Sequence, residues 1–146
     1  MLIRWGLKEP VSHFAIIFDD TIVFHSNLLG CHITWFDHFK KSSTIVYQIE
    51  KKLSLEKEEE IYKSIIGKNF GKSYDFTAFL FFLWRGFLYR IFNKPLPEIN
   101  ELNSKKNLLC TGLAAELPTD EFPELKDVKD TEILSPYQLY LRFKNG

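Results

Sequence analysis

The sequence predicts an α+β domain with a mainly antiparallel sheet packed against helices. Three observations lead there. The first third holds short β-forming runs separated by turn residues, the middle carries two stretches of helical character, and an alternating apolar run closes the chain. With 146 residues, 45% hydrophobic and 16% aromatic, fourteen of them Phe, the chain can bury one aromatic-rich core. A single domain over residues 1–146 is expected.

Residues 12–18 form an apolar run ending at Asp19-Asp20, and residues 21–25 continue as β-formers. Gly30 breaks the chain before a run at 32–35, and residues 44–49 (TIVYQI) read as another strand. Ser54 then starts a helix with a loose capping signal. Leu55, Ile61, Ile65 and Ile66 form its apolar stripe, residues 56–60 its charged face, and Gly67 and Gly71 bracket its end. A long helix is predicted from about 75 to 93, stopped by Pro95 and Pro97, followed by a polar loop at 98–106. Cys110 begins a short helix that ends at Pro118, and the acidic, Pro-containing stretch to 130 reads as a surface loop. Pro136 precedes a final strand at 138–143, where Leu139, Leu141 and Phe143 alternate.

Lys+Arg and Asp+Glu both number 19, which argues against a nucleic-acid binder relying on a global basic field, though not against a local patch; no nucleic-acid partner is expected. Two cysteines make no disulfide framework. Residues 1–10 carry Arg4, Lys8 and Glu9 without the apolar run of a signal peptide. The expected compartment is therefore reducing: cytoplasmic by default, or a virion if the chain is phage-encoded. The apolar stretch 76–92 (FTAFLFFLWRGFLYRIF) is short for a membrane span and is interrupted by Arg85 and Arg90. A buried helix is the expectation; contact with a membrane surface, the arginines snorkelling toward phosphates, is the alternative. His25, Cys31, His32 and His38 match no common zinc spacing, and adjacent Cys31 and His32 point to opposite faces of a strand. The glycines fit no nucleotide-binding pattern, so no metal and no cofactor is expected.

Chemistry concentrates on Cys110 and two upstream histidines. Small residues follow the cysteine in Cys110-Thr111-Gly112-Leu113-Ala114-Ala115, and a helix start there would lower the thiol pKa and favour thiolate. His13 opens the first strand and His25 ends the second. The two oppose each other only across a loop with an odd number of residues, which Phe18-Asp19-Asp20 supplies; a two-residue Asp19-Asp20 turn would put them on opposite faces. A histidine oriented by a second polar side chain is the base-and-orienter half of a catalytic triad.

Together these residues resemble the permuted NlpC-type, papain-like cysteine hydrolases, in which the histidines precede the cysteine. The matching stretches are Ser12-His13-Phe14-Ala15-Ile16, Val23-Phe24-His25-Ser26 and Leu108-Leu109-Cys110-Thr111-Gly112-Leu113. Gly67 with Gly71-Lys72-Ser73-Tyr74-Asp75 looks like the family's Gly-x-x-Tyr segment, and Ser135-Pro136-Tyr137 like a segment near the end of bacterial and phage members. The twelve-residue histidine spacing also recurs in the related lecithin:retinol acyltransferase branch. Thr111 and Gly112 depart from the Ser and acidic residue common after the cysteine. The resemblance, carried by short motifs over about residues 10–143, implies Cys110 as nucleophile, His13 as base and His25 as orienting third member. It also implies the Cys110 N–H as oxyanion donor, with Tyr74 as a further substrate contact.

The function expected is a thiol hydrolase that cleaves an amide bond through a thioester, with a peptide, amide or acyl ester as substrate. Two alternatives stand beside it: a lipid-directed thiol acyltransferase or phospholipase-like enzyme, motivated by the aromatic 76–92 helix, and a catalytically idle binding domain of the same fold.

Overall fold

A computed structural model of the chain describes residues 9–92 and 107–146. Within them, β1 (Ala15–Phe18), β2 (Ile22–Asn27) and β3 (Gly30–Trp35) form one antiparallel sheet in the order β1-β2-β3. Four α-helices accompany it: α1 (Phe36–Ser42), α2 (Leu55–Asn69), α3 (Phe76–Phe92) and α4 (Pro136–Asn145), together with short 3-10 turns. The α+β class and the antiparallel sheet are as expected.

The β1–β2 register runs from Ala15 opposite His25 to Phe18 opposite Ile22, so Asp19-Asp20-Thr21 is a three-residue loop. Its count is odd, but it lies one residue later than the expected Phe18-Asp19-Asp20. His25 therefore faces Ala15 directly, with His13 one alternation further out on the same side. Local chemistry sets this position. Asp19 and Asp20 both adopt left-handed backbone (φ 49 and 48), which aspartate tolerates better than most residues. The Thr21 N–H donates to the Phe18 carbonyl at 3.1 Å, and the Asp19 N–H to Glu58 Oε1 at 3.3 Å.

The central strand is covered on both faces: Val23, Phe24, His25 and Ser26 are buried in succession. One face, through Phe24, joins a core of Cys31, Ile61, Ile65, Leu113, Leu125 and Leu139, contributed by α2, α4 and the segment after Cys110. The other presents His25, whose ring meets Phe39 of α1 edge-on at 5.2 Å between centroids. Phe39 is the buried residue of α1, a helix that sequence periodicity did not reveal.

Several expectations are corrected. Residues 44–49 do not form a strand; they are irregular, with Val46 and Ile49 exposed. Strand propensity registers packing on a half-buried pleated surface, and no strand edge bonds to this segment among the described residues. Residues 138–143 belong to helix α4. Ser135 and Gln138 close a reciprocal capping box and Pro136 sits in the first turn. Of the three apparent alternators, Leu139 and Phe143 share a helical face toward the core, whereas Leu141 points outward. The stretch to 130 is not wholly a surface loop, because the 3-10 turn Pro123–Leu125 buries Leu125.

Helix α2 begins as expected, Ser54 Oγ accepting the Lys57 N–H at 3.3 Å, and buries Ile61 and Ile65. It runs through Gly67 to Asn69, and Leu55 is exposed rather than on the buried stripe. Gly71 (φ 79) then turns the chain, and its N–H reaches the Cys31 carbonyl at 2.9 Å. Gly30 (φ 92) permits the close passage of this segment, since a Cβ there would stand 2.5 Å from the Lys72 carbonyl oxygen.

Helix α3 starts where expected, with Asp75 Oδ1 accepting the Ala78 N–H at 2.8 Å, and continues to Phe92, the last described residue of this stretch. Its burial is corrected. Ala78, Phe82 and Gly86 are buried, but Phe76, Leu80, Trp84, Phe87 and Ile91 form an exposed stripe at helical spacing. Among the described residues no helix is long and apolar enough to cross a membrane. The expected stops at Pro95 and Pro97 and the polar loop 98–106 lie outside the described residues.

Candidate active site

The two histidines meet. His13 Nε2 and His25 Nδ1 are 3.1 Å apart, with the rings edge to face at 5.2 Å between centroids. The other nitrogen of His25, Nε2, lies 3.2 Å from Thr34 Oγ1 on β3. His32, cross-strand from His25, packs its ring 4.4 Å away while its Nδ1–H donates to the Gly30 carbonyl at 3.0 Å. Burial lowers the pKa of both His13 and His25 to about 4, and the neighbouring imidazoles add to the effect. Each ring is therefore neutral at pH 7 and carries one N–H.

Cys110 is buried at the N-terminal edge of a 3-10 turn, Thr111–Glu116, where an α-helix start was expected. The backbone N–H of Phe14, the residue after His13, approaches the Cys110 sulfur, as do those of Thr111 and Cys110 itself. These amides favour thiolate, but burial outweighs them and pushes the thiol up to about 11. The helix-start thiolate is thus corrected to a buried neutral thiol, since a short 3-10 segment supplies little dipole to offset desolvation. Among the described residues no hydrogen bond joins the Cys110 sulfur to either imidazole. The cysteine and the histidine pair are adjacent through the Phe14 backbone.

Three long-range bonds hold the cysteine turn. Ser26 Oγ donates to the Leu108 carbonyl at 2.7 Å, the Leu108 N–H to the Ser73 carbonyl at 3.0 Å, and the Leu109 N–H to Glu132 Oε1 at 2.9 Å. Glu132 is buried beneath the turn. A Cβ at Gly112 would lie 2.5 Å from Glu132 Oε1 and 2.9 Å from Leu108 Cδ1, so any side chain there would displace the carboxylate that holds the Leu109 N–H. Tyr74 forms an isolated parallel bridge with Leu108 and packs on Phe76 and Phe79. Burial, then the nearby negative charge of an ionised Cys110, raises its pKa, so its hydroxyl remains a donor.

Cys31 of the rejected zinc set lies in the hydrophobic core, away from its neighbour His32. No group of three or more His, Cys, Asp or Glu is disposed to hold a metal among the described residues. Sequence reasoning missed Thr34, Phe39 and Glu132. Thr34 had a findable signal, because any residue two positions from the cross-strand partner of His25 shares its face. Glu132 had none, being 23 residues from its partner Leu109. No protein-family model matches the chain, and neither a curated protein nor a solved structure matches it.

Proposed function

We propose that the protein is a cysteine hydrolase of permuted papain-like, NlpC-type fold that cleaves an amide bond through a thioester. The observation carrying this reading is the 3.1 Å contact between His13 Nε2 and His25 Nδ1, beside the backbone that touches Cys110.

The two contacts of His25 give the relay a direction. With the His25 Nε2–H donating to Thr34 Oγ1, His25 Nδ1 is an acceptor for the His13 Nε2–H, and His13 Nδ1 is left as the base. The resting pair is a neutral thiol and a neutral imidazole, so proton transfer accompanies attack. The Cys110 sulfur adds to the substrate carbonyl as His13 Nδ1 takes its proton. The Cys110 and Thr111 amides, aimed at the sulfur, are placed to donate to the resulting oxyanion. His13 then gives the proton to the departing amine as the C–N bond breaks, leaving a thioester. Water, deprotonated by His13, attacks the thioester; the carboxylic acid departs and the thiol is restored. Tyr74 is a further donor toward bound substrate.

The test is turnover of model peptides and esters with a trapped acyl-enzyme at Cys110 detected by mass spectrometry. Hydrolysis and the acyl adduct should both vanish in Cys110→Ala with folding retained, while hydrolysis surviving that substitution would sink the reading. A lipid-directed acyltransferase is the second reading, favoured by the exposed stripe Phe76, Leu80, Trp84, Phe87 and Ile91. Failure of the chain to sediment with anionic vesicles would remove it.

A further inference from the structure

An open groove of about 510 Å³ follows the outer edge of β1 from the Asp19-Asp20 turn past His13 to Val11. β1 is an edge strand, and among the described residues no other strand pairs with that side. The opposite wall is the irregular segment around 47–53 with α4, where Tyr47 stacks on Tyr140 at 4.0 Å between centroids.

The groove already holds one cation of the chain itself, Lys51. The Glu124 side chain is only 10% exposed; its Oε1 binds Lys51 Nζ at 3.3 Å, and its buried Oε2 has no hydrogen-bond partner. Lys51 Nζ also stands 5.3 Å from the centre of the Phe122 ring, so carboxylate and aromatic face together form a seat for a cation. Lys51 is a weak occupant. Its side chain is 37% exposed and it extends from a segment without regular structure. The surroundings favour cations further: Asp19, Asp20, Glu50 and Glu58 line the same groove, and among the described residues Lys51 is its single lysine or arginine. In a chain of zero net charge this is a local concentration of negative charge.

We propose that this groove binds an extended peptide bearing lysine or arginine. The peptide adds to the open edge of β1 and seats its cationic side chain on Glu124 in place of Lys51. Main-chain pairing with an edge strand supplies affinity, and the Glu124–Phe122 seat supplies specificity. The inference rests on the hydrolase reading and names its substrate class, because His13 lines the groove and an extended chain lying in it passes beside the proposed base.

Fluorescein-labelled Ala-Lys-Ala-Lys-Ala-Lys and Ala-Glu-Ala-Glu-Ala-Glu peptides, titrated by anisotropy onto the Cys110→Ala chain, test this. The basic peptide should bind at least about 10-fold more tightly, and Glu124→Gln should erase the difference. Lys51→Ala should tighten binding by freeing the seat, and N-methylation of alternate peptide amides should weaken it. Equal affinity for the two peptides, or an unchanged affinity in Lys51→Ala, would overturn the proposal even if Glu124→Gln failed to fold. Binding of the basic peptide without cleavage by the unsubstituted chain would leave the groove standing and sink the hydrolase. Cys110-dependent cleavage of both peptides at equal rates would do the reverse.

Discussion

The histidine hairpin and the cysteine turn are built by opposite means. His13 and His25 are twelve residues apart and are positioned by one hairpin whose register follows from a short Asp-Asp-Thr loop. Cys110 is positioned from far away. Ser26 holds the Leu108 carbonyl across 82 positions of sequence, Glu132 holds the Leu109 amide, and the Phe14 amide meets the sulfur. The histidine pair is thus set by local strand geometry and the cysteine by a few buried polar contacts. Regular backbone pairing spreads its stability over many bonds, whereas a turn fixed by single side chains loses its geometry when one is removed.

Acid should break the hairpin half first. His13 and His25 have folded pKa values near 4, below the ordinary 6.5, so the unfolded chain binds protons that the folded chain refuses. Their contribution to stability is therefore complete above about pH 6.5 and is lost as pH falls toward 4, by about 3 kcal/mol for each ring. Urea unfolding across that range should show the slope, and His13→Phe should flatten it. A flat profile in the unsubstituted chain would mean the rings are not buried as a neutral pair.

The turn half should break under one added methyl group. Gly112→Ala drives a Cβ against the buried Glu132 carboxylate and should cost about 2 kcal/mol in chemical denaturation, with the hairpin register unchanged by NMR. Loss of the hairpin along with the turn would show that the two regions are not separable.

A smaller effect tests the direction of the relay. Thr34→Val removes the acceptor for the His25 Nε2–H and should lower turnover about 10-fold, with Thr34→Ser restoring it. Imidazole ¹⁵N shifts should move His25 from Nε2–H toward a mixture of tautomers, a change that mere loosening of the strand would not produce. The smallest effect lies at the loop. Asp20→Gly relieves a left-handed non-glycine residue and should stabilise the hairpin by about 0.5 kcal/mol in thermal unfolding.

The same division explains what the sequence made legible. Loop parity, the Ser54 cap and the start of α3 follow from near neighbours, and all three could be read. Thr44-Ile45-Val46-Tyr47-Gln48-Ile49 has strong strand character but lacks a bonded edge, which its own residues cannot reveal. In α4 the apparent alternation of Leu139, Leu141 and Phe143 concealed an i, i+4 pair, and the Ser135–Gln138 capping box decided the outcome. The thiol failed to follow the helix-start expectation because its pKa depends on burial by elements remote in sequence. The meeting of His13 and His25 was expected from sequence and is seen at 3.1 Å; Thr34 and Glu132, which contact His25 and the turn, entered with the three-dimensional structure.

The pH profile of Cys110 alkylation by iodoacetamide, in the unsubstituted chain and in His13→Ala, tests the base–nucleophile pairing most directly. With His13 as base, the rate should rise once as His13 loses its proton near pH 4 and again as the thiol ionises near 11, and His13→Ala should lose only the first rise. A single rise near 11 in both proteins would contradict the pairing of His13 with Cys110.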